Sequence, residues 1–354
     1  MESSTPAPLT IGHYTIDATS PVLLIAELSA NHGQSLQIAK DTLYAARESG
    51  ADGVKLQTYT ADTLTLASDK PYFRINSGSI WDGTTLHDLY AEAHTPWDWH
   101  EELFSYAASL GLICFSSPFD FSAVDFLEKL QAPAYKIASF EIHDTELIKY
   151  AAARQKPVIL STGIARHEDI VRAIDAIKSV GNNQVMLLKC TSSYPCDPID
   201  MNVSALLKSF PAYGVWTGLS DHSMSHTAAI LSVAFGAKLI EKHFILDPAI
   251  GGPDSSFSLS PVQFKSLVQQ VREAEDMLGS GVLELSEKTK RMVKFSRSLF
   301  VTKDVQAGDV ISGENVRSVR PGDGLPAYMW QEVVGKTFVR AVEANEPLDA
   351  TMFI

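Results

Sequence analysis

Between residues 22 and 280, short apolar runs rich in β-branched side chains alternate with longer stretches of helical period, and no other feature limits the possible folds so sharply. Residues 22–27, 53–57, 112–116, 134–139, 157–162, 185–190, 215–221 and 238–243 read as eight strands. Each is followed by a plausible helix, such as residues 36–49, 166–180 and 262–278. Eight such units in about 260 residues predict an α/β fold of the (β/α)8 TIM barrel type, because an open doubly wound sheet usually has fewer strands.

After Gly279-Ser280-Gly281 the pattern changes. Residues 281–296 read as a charged linker, extended or helical. Residues 297–354 show short strands separated by turn signals at Ala307-Gly308-Asp309 and Arg320-Pro321-Gly322. The expected organisation is therefore a barrel over 1–280, a linker, and a small β-rich domain of roughly 60 residues whose core would be marginal alone. Such a domain is expected to lean on the barrel or on a partner subunit.

Charge separates the two parts. The chain has 29 Lys plus Arg against 42 Asp plus Glu, a net −13, and residues 281–354 hold 10 of each sign. All of the excess negative charge thus lies in the barrel, which argues against an electrostatic grip on nucleic acid. Three cysteines, Cys114, Cys190 and Cys196, make no even disulfide framework and show no CxxC spacing. A reducing, cytoplasmic setting is expected. Residues 1–10 carry neither the basic nor the apolar region of a secretory signal, and the apolar stretch at 228–237 is too short to span a bilayer, so no membrane partner is expected.

The connection over residues 58–96 breaks the short-loop pattern, carrying Tyr72, Phe73, Arg74 and Trp81 with little helical period. In a barrel it would lie on the catalytic face. Its aromatics would either cover a substrate or pack as an insertion without function.

Barrels place their chemistry at the C-terminal ends of strands. Glu27, Lys55 and Gln57, Ser116 and Ser117, Ser139 and Glu141, Ser161 and Thr162, Lys189, His222, and Glu241 with His243 all close apolar runs. Any one of these serves equally well as a loop anchor, but together they mark all eight strands. Lys136 is an exception: alternation sets it opposite Ser139 and Glu141, so its presence in a site requires a bulge or an early strand end. His222 and His243 end consecutive strands and can meet at one metal ion. Two nitrogen ligands with carboxylate and water suit hexacoordinate Mn²⁺ or Mg²⁺, whereas a structural Zn²⁺ site would want more Cys or His. Lys55, Lys136 and Lys189, with Ser139 and Ser161, compose a cradle for phosphate and carboxylate, or else pair with Glu27, Glu141 and Glu241.

The segments Ile25-Ala26-Glu27-Leu28-Ser29-Ala30-Asn31-His32, Lys55-Leu56-Gln57-Thr58, Lys136-Ile137-Ala138-Ser139-Phe140-Glu141, Gly218-Leu219-Ser220-Asp221-His222 and Glu241-Lys242-His243-Phe244 resemble, in order and spacing, the sialic acid synthase family. Leu28 to His32, the run from Leu56, the run from Trp81 and the run from Gly251 look most like its pseudaminic-acid-forming branch. Residues 297–354 are similar to the antifreeze-like (SAF, β-clip) domain that ends these enzymes.

The resemblance implies a transferase that condenses phosphoenolpyruvate with an open-chain amino sugar on a divalent-metal-dependent barrel. His222 and His243 would be the metal ligands. Lys55, Gln57, Ser117, Lys136, Ser139, Ser161, Ser192 and Ser220 would bind substrate, while Glu27, Glu141, Glu241, Tyr194 and Asp254 would surround the reacting atoms. Arg320 would reach the barrel mouth of the other subunit in a domain-swapped homodimer. Ser192 stands where N-acetylneuraminic acid synthases tend to have Asn, which favours a diacetamido trideoxy sugar over N-acetylmannosamine. The alternatives are a legionaminic or N-acetylneuraminic acid synthase, a Schiff-base aldolase on the same barrel, and a non-catalytic carbohydrate-binding protein.

Overall fold

In a computed structural model, which describes residues 5–354, the eight runs become a closed parallel barrel. Ahead of it lie two short strands, β1 (Leu9–Ile11) and β2 (Tyr14–Ile16), paired as an antiparallel hairpin. The barrel strands are β3 (Leu23–Glu27), β4 (Gly53–Thr58), β5 (Ile113–Pro118), β6 (Tyr135–Ile137), β7 (Val158–Ser161), β8 (Val185–Cys190), β9 (Trp216–Asp221) and β10 (Leu239–His243). They pair in chain order, and β10 closes on β3 with Leu239 opposite Leu23 and His243 opposite Glu27.

Alternation sorts the two faces of each strand. Leu24, Ala26, Val54, Leu56, Leu160, Leu187 and Ile240 face outward into a shell shared with the helices. Leu23, Ile25, Ile113, Phe115, Ile159, Met186, Leu188 and Leu239 fill the lower interior. Leu9, Ile11 and Ile16 of the hairpin join that same interior cluster and stopper its N-terminal end. The hairpin escaped the sequence reading because two three-residue strands carry too little period to stand out.

Two local expectations need correction. Residues 58–96 are more regular than their sequence suggests, with helices at Ala61–Leu64 and Leu86–Ala93 and a 3-10 turn at Pro71–Phe73. Thr60 and Thr85 start the helices by accepting hydrogen bonds from Thr63 and Asp88 backbone N–H groups. The strand expected through residue 139 stops at Ile137, and the chain turns into a 3-10 helix over Ser139–Glu141. That early end resolves the parity conflict: Lys136 enters the interior from the strand, and Ser139 and Glu141 reach the mouth from the turn.

Residues from Ser280 onward form a second unit. Its first part contains the helix Glu287–Met292, capped by Ser286. β11 (Ser298–Val301) and β12 (Val316–Val319) then pair antiparallel. Isolated bridges such as Val305 to Val342 and Phe338 to Phe353 extend the β character. Leu299, Val301, Ile311, Val316, Phe338 and Leu348 give this unit an apolar core of its own. Among the described residues no helix is long and apolar enough to cross a membrane.

Candidate active site

Above the apolar floor, the inward positions turn polar. Lys55 on β4 lies 2.6 Å from Glu27 on β3 and 2.7 Å from Glu241 on β10, and Lys136 on β6 lies 3.3 Å from the same Glu241 oxygen. Ser220 on β9 donates to that oxygen at 3.3 Å. All five side chains are buried. Such a cluster survives only because each charge faces an opposite one at contact distance. Burial disfavours ionisation of Glu241, yet Lys136 and Lys55 outweigh it and hold its carboxyl well below the usual range. Burial likewise pulls Lys55 down, to about 7, while Glu241 opposes the shift. Of the two readings, the ion pairing is what the structure shows for Lys55 and Lys136, with both amino groups inside the barrel.

His222 and His243 meet at the rim with ring centroids 5.3 Å apart. The His222 Nδ1 lies 3.0 Å from the Thr191 carbonyl, which can only accept, so Nδ1 carries a proton and the lone pair of the neutral ring is on Nε2. Behind it, Lys242 pairs with Asp221 at 2.7 Å on the outer face and holds the Ser223 and Ser225 carbonyls, fixing the loop that follows His222. The His243 Nδ1 is buried with no hydrogen-bond partner from the protein. Burial, with the nearby His222 and Lys55 charges, holds His243 well below the usual imidazole range and so neutral. Cys190 and the Thr191 carbonyl raise His222 against the cost of its burial, so the two rings divide into one that holds a proton readily and one that does not. Two imidazoles converging beside carboxylates, with His243 neutral, offer nitrogen ligands to a divalent cation that displaces the His222 proton. Among the described residues no third His, Cys, Asp or Glu joins them as a ligand cluster. A bound cation would therefore complete its shell with substrate or water.

The remaining candidates gather around these two groups. Ser139 Oγ accepts from the Gly163 N–H at 3.1 Å. Gly163 must be bare, because a Cβ there would lie 2.0 Å from Ser192 Oγ and 2.7 Å from Ser139 Oγ. The Ser117, Ser161 and Ser192 hydroxyls and one oxygen each of Glu141 and Glu241 are buried without a protein partner. Buried polar atoms are rarely left so, and here they concentrate at one mouth. Gln57 donates to Ser29 Oγ at 2.9 Å and to Glu27 at 3.3 Å, and Ser29 in turn donates to Asp254. Burial pushes Asp254 up from its ordinary value. It pushes Glu141 up as well, to about 7, against a backbone hydrogen bond and the Lys136 charge.

Aromatic rings wall the mouth. Tyr194 lies 4.3 Å from the His222 ring, Phe257 lies 4.8 Å from His243, and Trp81 of the insertion lies 5.4 Å from Tyr194. Trp81 is pinned by a 2.9 Å bond from Nε1 to the Pro253 carbonyl. Of the two readings of the 58–96 connection, this contact favours a cover over the site. Gln57, Glu141, Ser192, Tyr194, His243 and Asp254 border a single cavity of about 590 Å³.

Some strand-end residues point elsewhere. Lys189 does not join the cradle: Met186 and Leu188 occupy the interior parity of β8, so Lys189 faces outward and donates to the Cys190 carbonyl at 2.6 Å and Thr191 Oγ1 at 2.9 Å. Ser116 also faces outward, 2.6 Å from Thr58, and Thr162 donates to the Leu188 carbonyl. Arg320 stands exposed at the end of β12 in the second unit. Sequence reasoning missed Ser29, Gly163 and Phe257 as parts of the mouth. Gly163 had a visible signal, a glycine two residues beyond the Ser161 strand end, whereas Phe257 reads as ordinary core.

The NeuB family model matches residues 42–283, and the SAF domain model matches residues 296–354. The chain is 45% identical over 331 residues to the pseudaminic acid synthase of Helicobacter pylori, covering 93% of this chain and 97% of that protein. It is 44% identical over 343 residues to the pseudaminic acid synthase of Campylobacter jejuni, covering 97% and 99%. Among solved structures, the spore coat polysaccharide biosynthesis protein spsE of Bacillus subtilis is similar at a TM-score of 0.67 and 30% identity, covering 98% of this chain and 99% of that one. With its barrel motifs, its β-rich second unit and these near full-length likenesses, the chain belongs to the NeuB family.

Proposed function

We propose that this chain is a pseudaminic acid synthase, a transferase that condenses phosphoenolpyruvate with 2,4-diacetamido-2,4,6-trideoxy-L-altrose to give pseudaminic acid and phosphate. The observation that carries the reading is the burial of Lys55 and Lys136 inside the barrel, close enough to His243 for their charges to act on it, with His222 and His243 converging at the rim. Identity of 44–45% to pseudaminic acid synthases over nearly the whole chain favours this sugar within the family.

Lys55 and Lys136 bind the phosphate and carboxylate of phosphoenolpyruvate, and the Ser117, Ser139, Ser161 and Ser220 hydroxyls complete its hydrogen bonds. A Mn²⁺ or Mg²⁺ held by His222 and His243 would polarise the sugar's aldehyde oxygen. Tyr194 and Asp254, with Gln57 and Ser192, orient the open-chain sugar so that C3 of phosphoenolpyruvate reaches its C1. As C3 bonds to C1 the former aldehyde oxygen takes up a proton; water adds at C2, and as the C–O bond to phosphate breaks the C2 hydroxyl loses its proton to leave the keto acid. Glu27 and Glu241 keep the lysines paired around the bound anion.

Glu141 is the carboxyl best placed to move a proton near neutrality, accepting one from the attacking water and returning it to the departing phosphate. The base form is needed, so kcat/KM should fall as pH drops through about 7, the value to which burial raises this group. In Glu141→Gln that acid limb should vanish and the plateau should drop by roughly 10²-fold. A pH–rate profile with an unchanged limb would assign the proton elsewhere.

The direct test supplies phosphoenolpyruvate, Mn²⁺ and a panel of 2-acetamido and 2,4-diacetamido hexoses. Phosphate release that depends on the trideoxy sugar, with product mass equal to pseudaminic acid, supports the reading. Release with the legionaminic or N-acetylneuraminic precursor instead moves the chain to another branch. A borohydride-trapped adduct on lysine would replace it with an aldolase.

We further propose a cytoplasmic, domain-swapped homodimer. The exposed Arg320 would enter the other subunit's barrel mouth, and exposed Leu283, Val293 and Phe295 would be covered in the pair. Free, buried Cys114, Cys190 and Cys196 accord with a reducing setting. Arg320→Ala mixed with His222→Ala should recover activity on subunit exchange, because one site of each mixed dimer then carries neither defect. With Arg320 acting on its own barrel, every site keeps one defect and mixing restores nothing.

A further inference from the structure

The helix Leu86–Ala93 carries Leu86, Leu89, Tyr90 and Ala93 at the i, i+3, i+4, i+7 spacing of one apolar face. In a barrel protein such a face ordinarily packs on the wall, yet all four residues border the cavity at the mouth. Leu86, Leu89 and Tyr90 remain only half-buried. Leu64, from the short helix before it, and Ile75 extend the same surface. Tyr59 and Phe119 also border the cavity, the Tyr59 ring centroid lying 5.8 Å from Tyr90 and 5.1 Å from Phe119.

The lining of the cavity combines Gln57, Glu141, Ser192, Tyr194, His243 and Asp254 with the aliphatic carbon of Leu64, Ile75, Leu86 and Leu89, and the hydroxyls of Tyr59, Tyr90, Ser77 and Ser79 also border it. The rim beside that aliphatic carbon offers few free N–H donors. The Ser77, Gly78 and Ser79 N–H groups are all bound by the Asp82 carboxylate at 2.9 to 3.1 Å, and the Trp81 N–H is spent on Pro253. A hydroxyl-bearing chain end laid against the Leu64, Ile75, Leu86 and Leu89 carbons would lose water without gaining partners from them, whereas a methyl group would bury at no such cost.

We propose that Leu64, Ile75, Leu86 and Leu89 form the subsite for the end of the amino sugar remote from its aldehyde, and that this subsite selects a methyl-terminated 6-deoxy chain over its 6-hydroxy counterpart. The inference rests on the synthase reading and adds to it the residues that choose the sugar's far end. The polar residues of the cavity fix the reacting carbons, so chemistry and choice of terminus reside on separate elements. An apolar pocket rejects an added hydroxyl only moderately, so the preference should be about 10- to 100-fold in kcat/KM.

The test measures kcat/KM of the metal-loaded enzyme for 2,4-diacetamido-2,4,6-trideoxy-L-altrose and for the same sugar bearing a 6-hydroxyl, with the KM for phosphoenolpyruvate as a second readout. The wild type should prefer the deoxy sugar by that margin. Leu89→Asn should bring the ratio to within about threefold, mainly through loss on the deoxy sugar, while the KM for phosphoenolpyruvate stays within about twofold. Leu64→Asn, on a separate element and half-exposed, should shift the ratio the same way and serves if Leu89→Asn fails to fold. Equal efficiency of the two sugars with the wild type overturns this inference alone, as does an unchanged ratio in the folded variants. Turnover of neither sugar overturns the synthase reading and this inference with it.

Discussion

His222→Ala and His243→Ala are each expected to lower turnover on the order of 10³-fold, the scale of losing a principal source of electrostatic stabilisation in a dry site. Both side chains stand at strand ends on the rim, so neither removes part of the apolar floor. His222→Ala forfeits the bond to the Thr191 carbonyl, which costs about 1 kcal/mol and leaves the barrel folded. Circular dichroism should therefore match the wild type while phosphate release disappears. A chelator should reproduce the loss in the wild type, and added Mn²⁺ should reverse it there but not in the variants. Full activity after chelation would return both histidines to structural roles.

Glu241→Gln should be the most destabilising change in the site. Glu241 faces both Lys55 and Lys136, and its neutral isostere deprives Lys136 of its contact ion pair and leaves Lys55 with Glu27 alone. Breaking one side of a buried ionic cluster costs about 3 to 5 kcal/mol, because the desolvated charges remain. The lysines hold this carboxyl below its ordinary value, so its contribution is present above the usual glutamate range. It is lost as pH falls toward the depressed value. Acid should then narrow the gap between wild type and variant in thermal unfolding. Phosphoenolpyruvate, which brings negative charge to the same lysines, should raise the variant's midpoint more than the wild type's. A loss below about 1 kcal/mol would show that the cluster is relaxed by other means.

The barrel was legible because each strand is a continuous apolar run ending in a polar residue, a pattern set by burial on both faces. The site was legible for a related reason: His222, Glu241, Lys55 and Ser220 sit at interior parity where only function or a partner justifies polarity. Lys189 was misjudged although its parity was readable, since Met186 and Leu188 already claim the inward positions of β8. Lys136 could not be settled from alternation, because the stop at Ile137 is a backbone event that the apolar pattern does not mark. The helix Leu86–Ala93 hid its stripe among His87, Asp88 and Glu92, and its apolar face meets a cavity instead of the core that period analysis assumes.

The hairpin of β1 and β2 has a consequence for traffic. With Leu9, Ile11 and Ile16 sealing the lower end, the barrel is a blind well with one doorway. Depth would then dictate sequence in time: a ligand that touched Lys55 and Lys136 would have to descend before another molecule lodged at Tyr194 and Leu89, and whatever remained at the lysines would leave last. Compulsory ordering of this kind needs no gate and no conformational signal. It follows from plugging one end of a tube and stacking two guests inside it.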